Sequence, residues 1–239
     1  MKRRRASEVR VEKAERRPAQ AGFSLLELLI ALLVMLFVMA AASQLLVSSF
    51  RIRSRADKRG EALADARRAL DAMTHEIASA GYKLPSGLGL PSNGIVSADS
   101  SSTSIRFVTN TGSTNTAAVS EANEDVMYRL TTDASGNSFI TRYDMNSGPA
   151  SSVIGNRIDN LTIRYYDQIV RYTLNTNTCD INTGGTAEST NRSNSTYVVI
   201  SVCVTLPQVG SPGTDGYQAA STVQMTSDVF LRNTTLTTY

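Results

Sequence analysis

The hydrophobic and polar positions divide the chain into three stretches with different patterns. Residues 1–20 are polar and rich in Arg, which is typical of a segment without stable structure of its own. The run 28–42 is apolar without a single charge, and Glu27 is the only charged residue in the wider segment 23–50. After Pro85 the chain changes to short alternating runs. This pattern predicts an α+β protein with one long N-terminal helix.

The apolar segment is long enough to enter a bilayer, whose hydrocarbon core needs about 20 residues of helix. From residue 52 to 77 apolar residues recur every three or four positions, which predicts an amphipathic continuation of the same helix. Gly81 and Pro85 predict its end. We therefore expect one helix over 23–80 that packs on an antiparallel sheet. The larger residues expected at that contact are Leu63, Leu70, Met73 and Ile77.

Seven runs of alternating or β-branched residues predict the strands of this sheet. They are 104–109, 126–130, 139–143, 161–166, 169–174, 197–206 and 229–232. The segment 133–137 lies between two of them and predicts a hairpin loop. The segment 175–196 is dominated by Ser, Thr, Asn and Gly and predicts a longer loop.

The chain contains two cysteines, Cys179 and Cys203. An even number in an otherwise cysteine-free chain is typical of one disulfide in an oxidising compartment. Residue alternation along 197–206 puts Val198, Ile200 and Val202 on one face and Cys203 on the other, where Cys179 can reach it from the preceding loop. Two unpaired buried thiols are the alternative. The spacing excludes a CxxC metal or redox site.

The positive charge is concentrated at the N-terminus. Residues 1–22 contain eight Lys and Arg against three Glu, a net charge of +5, in a chain whose overall net charge is +3. The remainder is slightly acidic and has no basic stripe with interleaved aromatic residues. The sequence therefore gives no support for a nucleic-acid partner.

No pattern in the chain predicts an enzyme, a metal site or a cofactor. The single histidine, His75, lies off the apolar stripe of the predicted helix, which indicates a solvated helix face. Neither a glycine-rich phosphate loop nor a metalloprotease motif occurs in the sequence. Asp133, Ser135 and Asn137 alternate as in a calcium loop, but the downstream glutamate is missing and a hairpin turn explains them. We expect no catalytic residue.

Residues 21–30, AGFSLLELLI, resemble the N-terminal signature of type IV pilins and of type II secretion pseudopilins. The resemblance implies that a membrane aspartyl peptidase, the prepilin peptidase, cuts between Gly22 and Phe23 and methylates the new N-terminal Phe23. It places Glu27 at the fifth position of the mature chain. Residues 66–82 and several later segments resemble, less specifically, the minor pilins of the PilW type and their J-type pseudopilin relatives.

The same resemblance implies three regions. These are a basic prepilin leader over 1–22, a long helix over 23–82 whose first half spans the membrane, and a β-rich periplasmic head over 83–239. It implies a minor pilin-like subunit of the bacterial inner membrane that joins a filament and primes it at the tip. Its partners would be the prepilin peptidase and other minor and major pilins. A minor pseudopilin of a type II secretion system is the alternative.

A carboxylate inside an apolar helix needs a partner, because an unpaired charge there costs several kcal/mol. After cleavage the free amine of Phe23, its own or a neighbour's, is the nearest candidate for Glu27. At 4 Å and an effective dielectric of 20 such a pair contributes about 4 kcal/mol. We expect Glu27 to set the axial register between assembled helices. A glutamate that extends to the membrane interface is the alternative.

Two features of the apolar run leave further alternatives open. The residues 40–42 are all Ala and fit a signal-peptidase site, which would release a soluble β-domain starting at Ser43. The helical pattern runs through this site without a breaker.

The C-terminal flank of the apolar run is also basic, with Arg51, Arg53, Arg55, Lys58 and Arg59. Eight basic residues against five still favour the leader on the cytoplasmic side. The five residues either meet acidic groups of neighbouring helices or form a solvated face.

Overall fold

A computed structural model describes residues 22–85, 87–112, 118–148, 151–155, 158–214 and 216–234. Apart from Gly22, the predicted leader therefore lies outside the described residues. The chain separates into two compact units, with the boundary between Val47 and Ser48.

One helix, α1, covers Leu25–Ile77. It begins where the Leu28 N–H donates to the Ser24 carbonyl at 3.1 Å, and no proline occurs within it. The chain turns after Ile77, and Gly81 adopts a φ of 77°, the left-handed conformation that ends many helices. The long helix predicted over 23–80 is confirmed, slightly shorter at both ends.

The first sheet has four antiparallel strands that follow one another in chain order. They are β1 (Ser104–Val108), β2 (Asp125–Thr132), β3 (Ser138–Asp144) and β4 (Ser151–Gly155). The β2–β3 connection turns around Asp133, whose Oδ1 accepts hydrogen bonds from the N–H groups of Ser135 at 2.9 Å and Asn137 at 2.8 Å. This Asx turn confirms the predicted hairpin loop.

The remaining strands form a second sheet and a small hairpin. They are β5 (Asn160–Tyr166), β6 (Thr173–Asn175), β7 (Asp180–Asn182), β8 (Tyr197–Leu206) and β9 (Ser221–Phe230). β8 is the central strand of an antiparallel β5–β8–β9 sheet, while β6 pairs with β7. Because β8 is covered on both faces, every residue in it except Thr205 is buried. Its near-continuous run of valine and isoleucine suits that position.

The C-terminal part of α1 packs against both sheets in one hydrophobic core. The buried helix residues are Ala62, Ala66, Ala69, Leu70, Met73 and Ile77. Gly155 at the end of β4 lies close to the helix, because a Cβ placed on it would be 3.0 Å from the Ala69 Cβ. Small side chains on both elements therefore permit their close approach.

The predicted helix stripe is only partly correct. Leu70, Met73 and Ile77 are fully buried, as expected, but Leu63 is half-exposed. The neighbouring Ala62 is buried instead. Helix side chains one position apart differ in direction by about 100°, so only one of the two can face the sheets.

Five predicted strands are confirmed, in part with shifted ends, as β1, β2, β3, β5 and β8. The strand predicted over 169–174 is wrong, because only Thr173 and Leu174 join β6. Val170 is instead buried as a loop residue beside Tyr166 and Tyr197. The strand predicted over 229–232 overlaps only the last two residues of β9. β4 and β7 were missed because both are short, and β7 also lies within the predicted loop 175–196.

Candidate functional site

The candidate processing junction lies at the start of the described chain. Gly22, Phe23 and Ser24 precede α1 and adopt no regular secondary structure. Phe23 is 84% exposed, and a Cβ placed on Gly22 would meet no atom within 4 Å. The peptide bond between Gly22 and Phe23 is therefore sterically accessible.

Glu27 lies in the first turn of α1 and is exposed. A carboxylate at this position is favoured by the partial positive charge of the helix N-terminus, typically by about 0.3–1 kcal/mol. Within the described part of the chain, Glu27 forms no hydrogen bond or ion pair. In the intact chain the Phe23 nitrogen belongs to a peptide bond and carries no charge.

The apolar part of α1 is exposed on every side of the helix. All residues from Gly22 to Val47 are exposed, including the run of fifteen uncharged residues over 28–42. Among the described residues, α1 is the one helix that is long and apolar enough to cross a membrane. An apolar surface of this extent is not stable in water, so lipid or other helices must cover it. Signal sequences share this length and composition.

The two cysteines form a disulfide that fixes the β6–β7 hairpin to the second sheet. The Sγ atoms of Cys179 and Cys203 are bonded, and their Cα atoms are 5.8 Å apart. Both residues are buried, and Cys203 lies on the face of β8 opposite to that of Val202. The alternative of two unpaired thiols therefore does not apply. A disulfide of this kind is typical of an oxidising compartment.

An ion-pair cluster also joins the β6–β7 hairpin to strand β5. The Arg164 Nε donates to the Asp180 Oδ1 at 3.0 Å, and the guanidinium also contacts Glu188. The hydrogen bond with Asp180 raises the pKa of Arg164, although burial acts in the opposite direction. The cluster is a cross-link between strands and loop, and it presents no nucleophile.

The single histidine lies beside an open groove between α1 and β9. The groove is lined by Asp71, Thr74, His75, Ala78, Asp228, Val229, Phe230 and Arg232. Asp228 accepts hydrogen bonds from the hydroxyl groups of Tyr197 at 2.7 Å and Tyr172 at 3.2 Å. In the parts of the chain that the structure describes, no group of three His, Cys, Asp or Glu side chains could hold a metal ion.

One contact of functional interest had no signal in the sequence. Arg55 donates to the carbonyl oxygens of Gln218 at 3.0 Å and Ala219 at 2.6 Å, and to the Ser221 Oγ at 3.1 Å. These groups are at least 163 residues away along the chain. The contact fixes the segment before β9 to the basic part of α1.

Residues 17–43 match the family described as "Prokaryotic N-terminal methylation motif". The matched segment contains Gly22, Phe23 and Glu27 and extends into the apolar part of α1. No curated protein and no solved structure matches the chain. The motif indicates a pilin-like protein that is processed by a prepilin peptidase. Together with the exposed apolar helix, it indicates anchoring in a membrane.

Proposed function

We propose that this chain is a minor pilin-like subunit that takes part in type IV pilus assembly and primes the filament at its tip. The observation that supports this function is the arrangement of three residues at the N-terminal end of α1. Gly22 and Phe23 form an open junction just before α1, and Glu27 follows within its first turn. The all-round apolar surface of the next twenty residues requires a covering partner in every state of the protein.

Processing comes first in this proposal. The basic leader stays on the cytoplasmic side, and the prepilin peptidase cuts after Gly22 and methylates Phe23. The helix then crosses the bacterial inner membrane once, with the head in the periplasm. The disulfide between Cys179 and Cys203 supports that location of the head, because the periplasm is oxidising.

Assembly replaces lipid with the helices of other subunits. Cleavage creates a charged amine at Phe23, and in a bundle of parallel helices this amine can approach the Glu27 of a neighbour. An ion pair at 4 Å contributes about 4 kcal/mol at an effective dielectric of 20, which offsets much of the burial of the carboxylate. The pair forms at one axial offset only, so it sets the register of the subunit in the filament.

The proposal of a minor rather than a major subunit rests on the uninterrupted helix. Major pilins often carry Gly or Pro that loosens the membrane part of the helix, and this chain has neither between Phe23 and Arg59. A minor pseudopilin of a type II secretion system shares this property. The filament with which the mature chain copurifies distinguishes the two.

The assembly role is tested with Glu27→Val. We expect the variant to remain in the membrane fraction after alkaline carbonate extraction but to be lost from sheared filaments. Gln44→Val is the matched control, because it also replaces an exposed polar residue of the same apolar helix. Normal incorporation of the Glu27→Val variant would overturn the assembly role.

The processing step is tested by sequencing the mature N-terminus with mass spectrometry. We expect methylated Phe23 in the wild type and an uncut chain in Gly22→Leu. The structure has open space around Gly22, so this substitution leaves the fold intact and reports on the peptidase. A mature chain that begins at Ser43 would instead show a released soluble β-domain and would overturn the proposal.

A further inference from the structure

Four cationic side chains follow the apolar segment of α1 and have no partner among the residues that the structure describes. They are Arg51, Arg53, Lys58 and Arg59. All four are exposed, and within the described part of the chain none of them forms a hydrogen bond or an ion pair. With Arg55, the segment 51–61 carries five basic residues against Asp57 and Glu61. A cluster of this density attracts anions unless something neutralises it.

The position of this cluster suggests which anion it meets. Arg51 comes four residues after Val47, where the uninterrupted run of exposed residues in the apolar segment ends, and this distance is little more than one helical turn. The polar layer of each bilayer leaflet extends about 5–8 Å beyond the hydrocarbon core. Two residues along a helix correspond to a rotation of about 200°, so Arg51 and Arg53 lie on opposite sides of α1. Lipid headgroups surround a membrane helix and can reach both.

A loop of the head lies at the same level of the helix. A Cβ placed on Gly216 would be 3.4 Å from the Ser48 Cβ, and Arg55 holds the carbonyl groups of Gln218 and Ala219. Arg55 therefore has a structural role, in contrast to the other four cations. In the loop sequence 207–220 the single charged residue is Asp215, which lies outside the described residues. The described part of this loop therefore carries no charged residue.

We propose that Arg51 and Arg53, assisted by Lys58 and Arg59, bind the phosphate groups of anionic phospholipids in the outer leaflet of the membrane that α1 crosses. This inference rests on the proposed membrane anchoring of the chain. Guanidinium groups donate paired hydrogen bonds to phosphate oxygens, so the two arginines nearest to the apolar segment form the direct contacts. Lys58 and Arg59 lie farther from the bilayer and act by attraction within a Debye length of about 8–10 Å. The lipid contact fixes the depth of the subunit until a filament extracts it.

The test uses the full mature chain in nanodiscs that contain phosphatidylcholine and phosphatidylglycerol. Native mass spectrometry measures which lipid the protein retains after release from the disc. We expect the wild type to retain phosphatidylglycerol preferentially and Arg51→Gln/Arg53→Gln to lose most of this preference. The expected loss is about fivefold for each arginine, the usual contribution of one basic residue near an anionic surface. Lys58→Gln/Arg59→Gln should lose less.

Arg67→Gln/Arg68→Gln is the matched control, because it removes two exposed arginines of the same helix farther from the apolar segment. It should retain the wild-type preference. Equal retention of both lipids by the wild type, or an equal loss in the control, would overturn the proposal. If Arg51→Gln/Arg53→Gln keeps the lipid preference but fails to enter filaments, the lipid proposal is also overturned. The two arginines would then contact another subunit. Extraction of the wild type by alkaline carbonate would instead contradict the membrane anchoring itself.

Discussion

The guanidinium of Arg142 in β3 lies against the carboxylate of Glu76 in the last turns of α1, with its Nε 2.9 Å from Oε2 and 3.1 Å from Oε1. The two residues are 66 positions apart in the chain. Their side chains are only 16% and 32% exposed, and Arg142 also donates to the Asn123 Oδ1 at 2.8 Å. Burial acts to lower the pKa of Arg142, but the hydrogen bonds and the negative charge of Glu76, together with the interaction with Tyr128, raise the pKa overall. The pair therefore joins the helix to the first sheet.

Removal of one member of this pair should destabilise the head. We expect Arg142→Met to lower the free energy of unfolding by about 1.5–3 kcal/mol, because the Glu76 carboxylate loses a charged hydrogen bond in a half-buried position. A double-mutant cycle with Glu76→Gln, followed by urea unfolding, measures the coupling. The exposed pair Arg67 and Asp71, with 3.9 Å between Nε and Oδ2, is the control and should show no measurable coupling. Coupling of the same size in both pairs would contradict this role.

Gly94 should not tolerate a side chain. It has a φ of 74°, and a Cβ there would lie 2.2 Å from the backbone nitrogen of Gly81 and 2.5 Å from the Val108 carbonyl oxygen. We expect Gly94→Ala to lower the free energy of unfolding by more than about 3 kcal/mol, since strain and a backbone clash act together. Gly136→Ala is the control, because Gly136 has a φ of 83° but open space around it, and should cost only about 1–2 kcal/mol. Similar melting temperatures for the two variants would show that the clash is relieved.

The disulfide should stabilise the head substantially. The bond joins Cys179 and Cys203, which are 24 positions apart in the chain, and a loop of this size corresponds to about 3 kcal/mol in the chain-entropy description. We expect the double variant Cys179→Ser/Cys203→Ser to melt at a lower temperature than the wild type. Dithiothreitol should lower the melting temperature of the wild type towards that of the variant and leave the variant unchanged. A wild type that is insensitive to reduction would contradict a stabilising bond.

The head should lose stability in acid partly through Asp144. Burial would raise the pKa of this carboxyl, but hydrogen bonds from the Ser147 hydroxyl and from the N–H groups of Asn123 and Asn146 lower it below its usual 3.8. Because the folded pKa is the lower one, the stabilisation is present above the unfolded pKa and is lost as the pH falls through the folded pKa. We expect Asp144→Asn to be less stable than the wild type at pH 7. The difference should shrink below pH 3.8, and a difference that is independent of pH in urea titrations would contradict this.

The sequence predicted the features that depend on neighbouring residues. The absence of proline and the apolar period along 23–77 predict α1, because helix formation is a local property. The junction at Gly22 and Phe23 and the acid at Glu27 belong to one short contiguous motif, so they could be recognised without a fold. The central strand β8 was predicted with its bounds, since its apolar run is long and rich in β-branched residues.

The tertiary structure decided the features that depend on residues far apart in the chain. It selects Ala62 rather than Leu63 for the contact with the sheets, extends β9 to Ser221 by pairing it along the whole of β8, and brings Arg55 to the carbonyl groups before β9. Such contacts join segments separated by tens to more than a hundred residues, and no local period or motif encodes which partner each residue meets. The sequence alone therefore determined the helix and its processing motif, whereas packing between distant segments determined the architecture of the head and left Arg51 and Arg53 without a partner among its described residues.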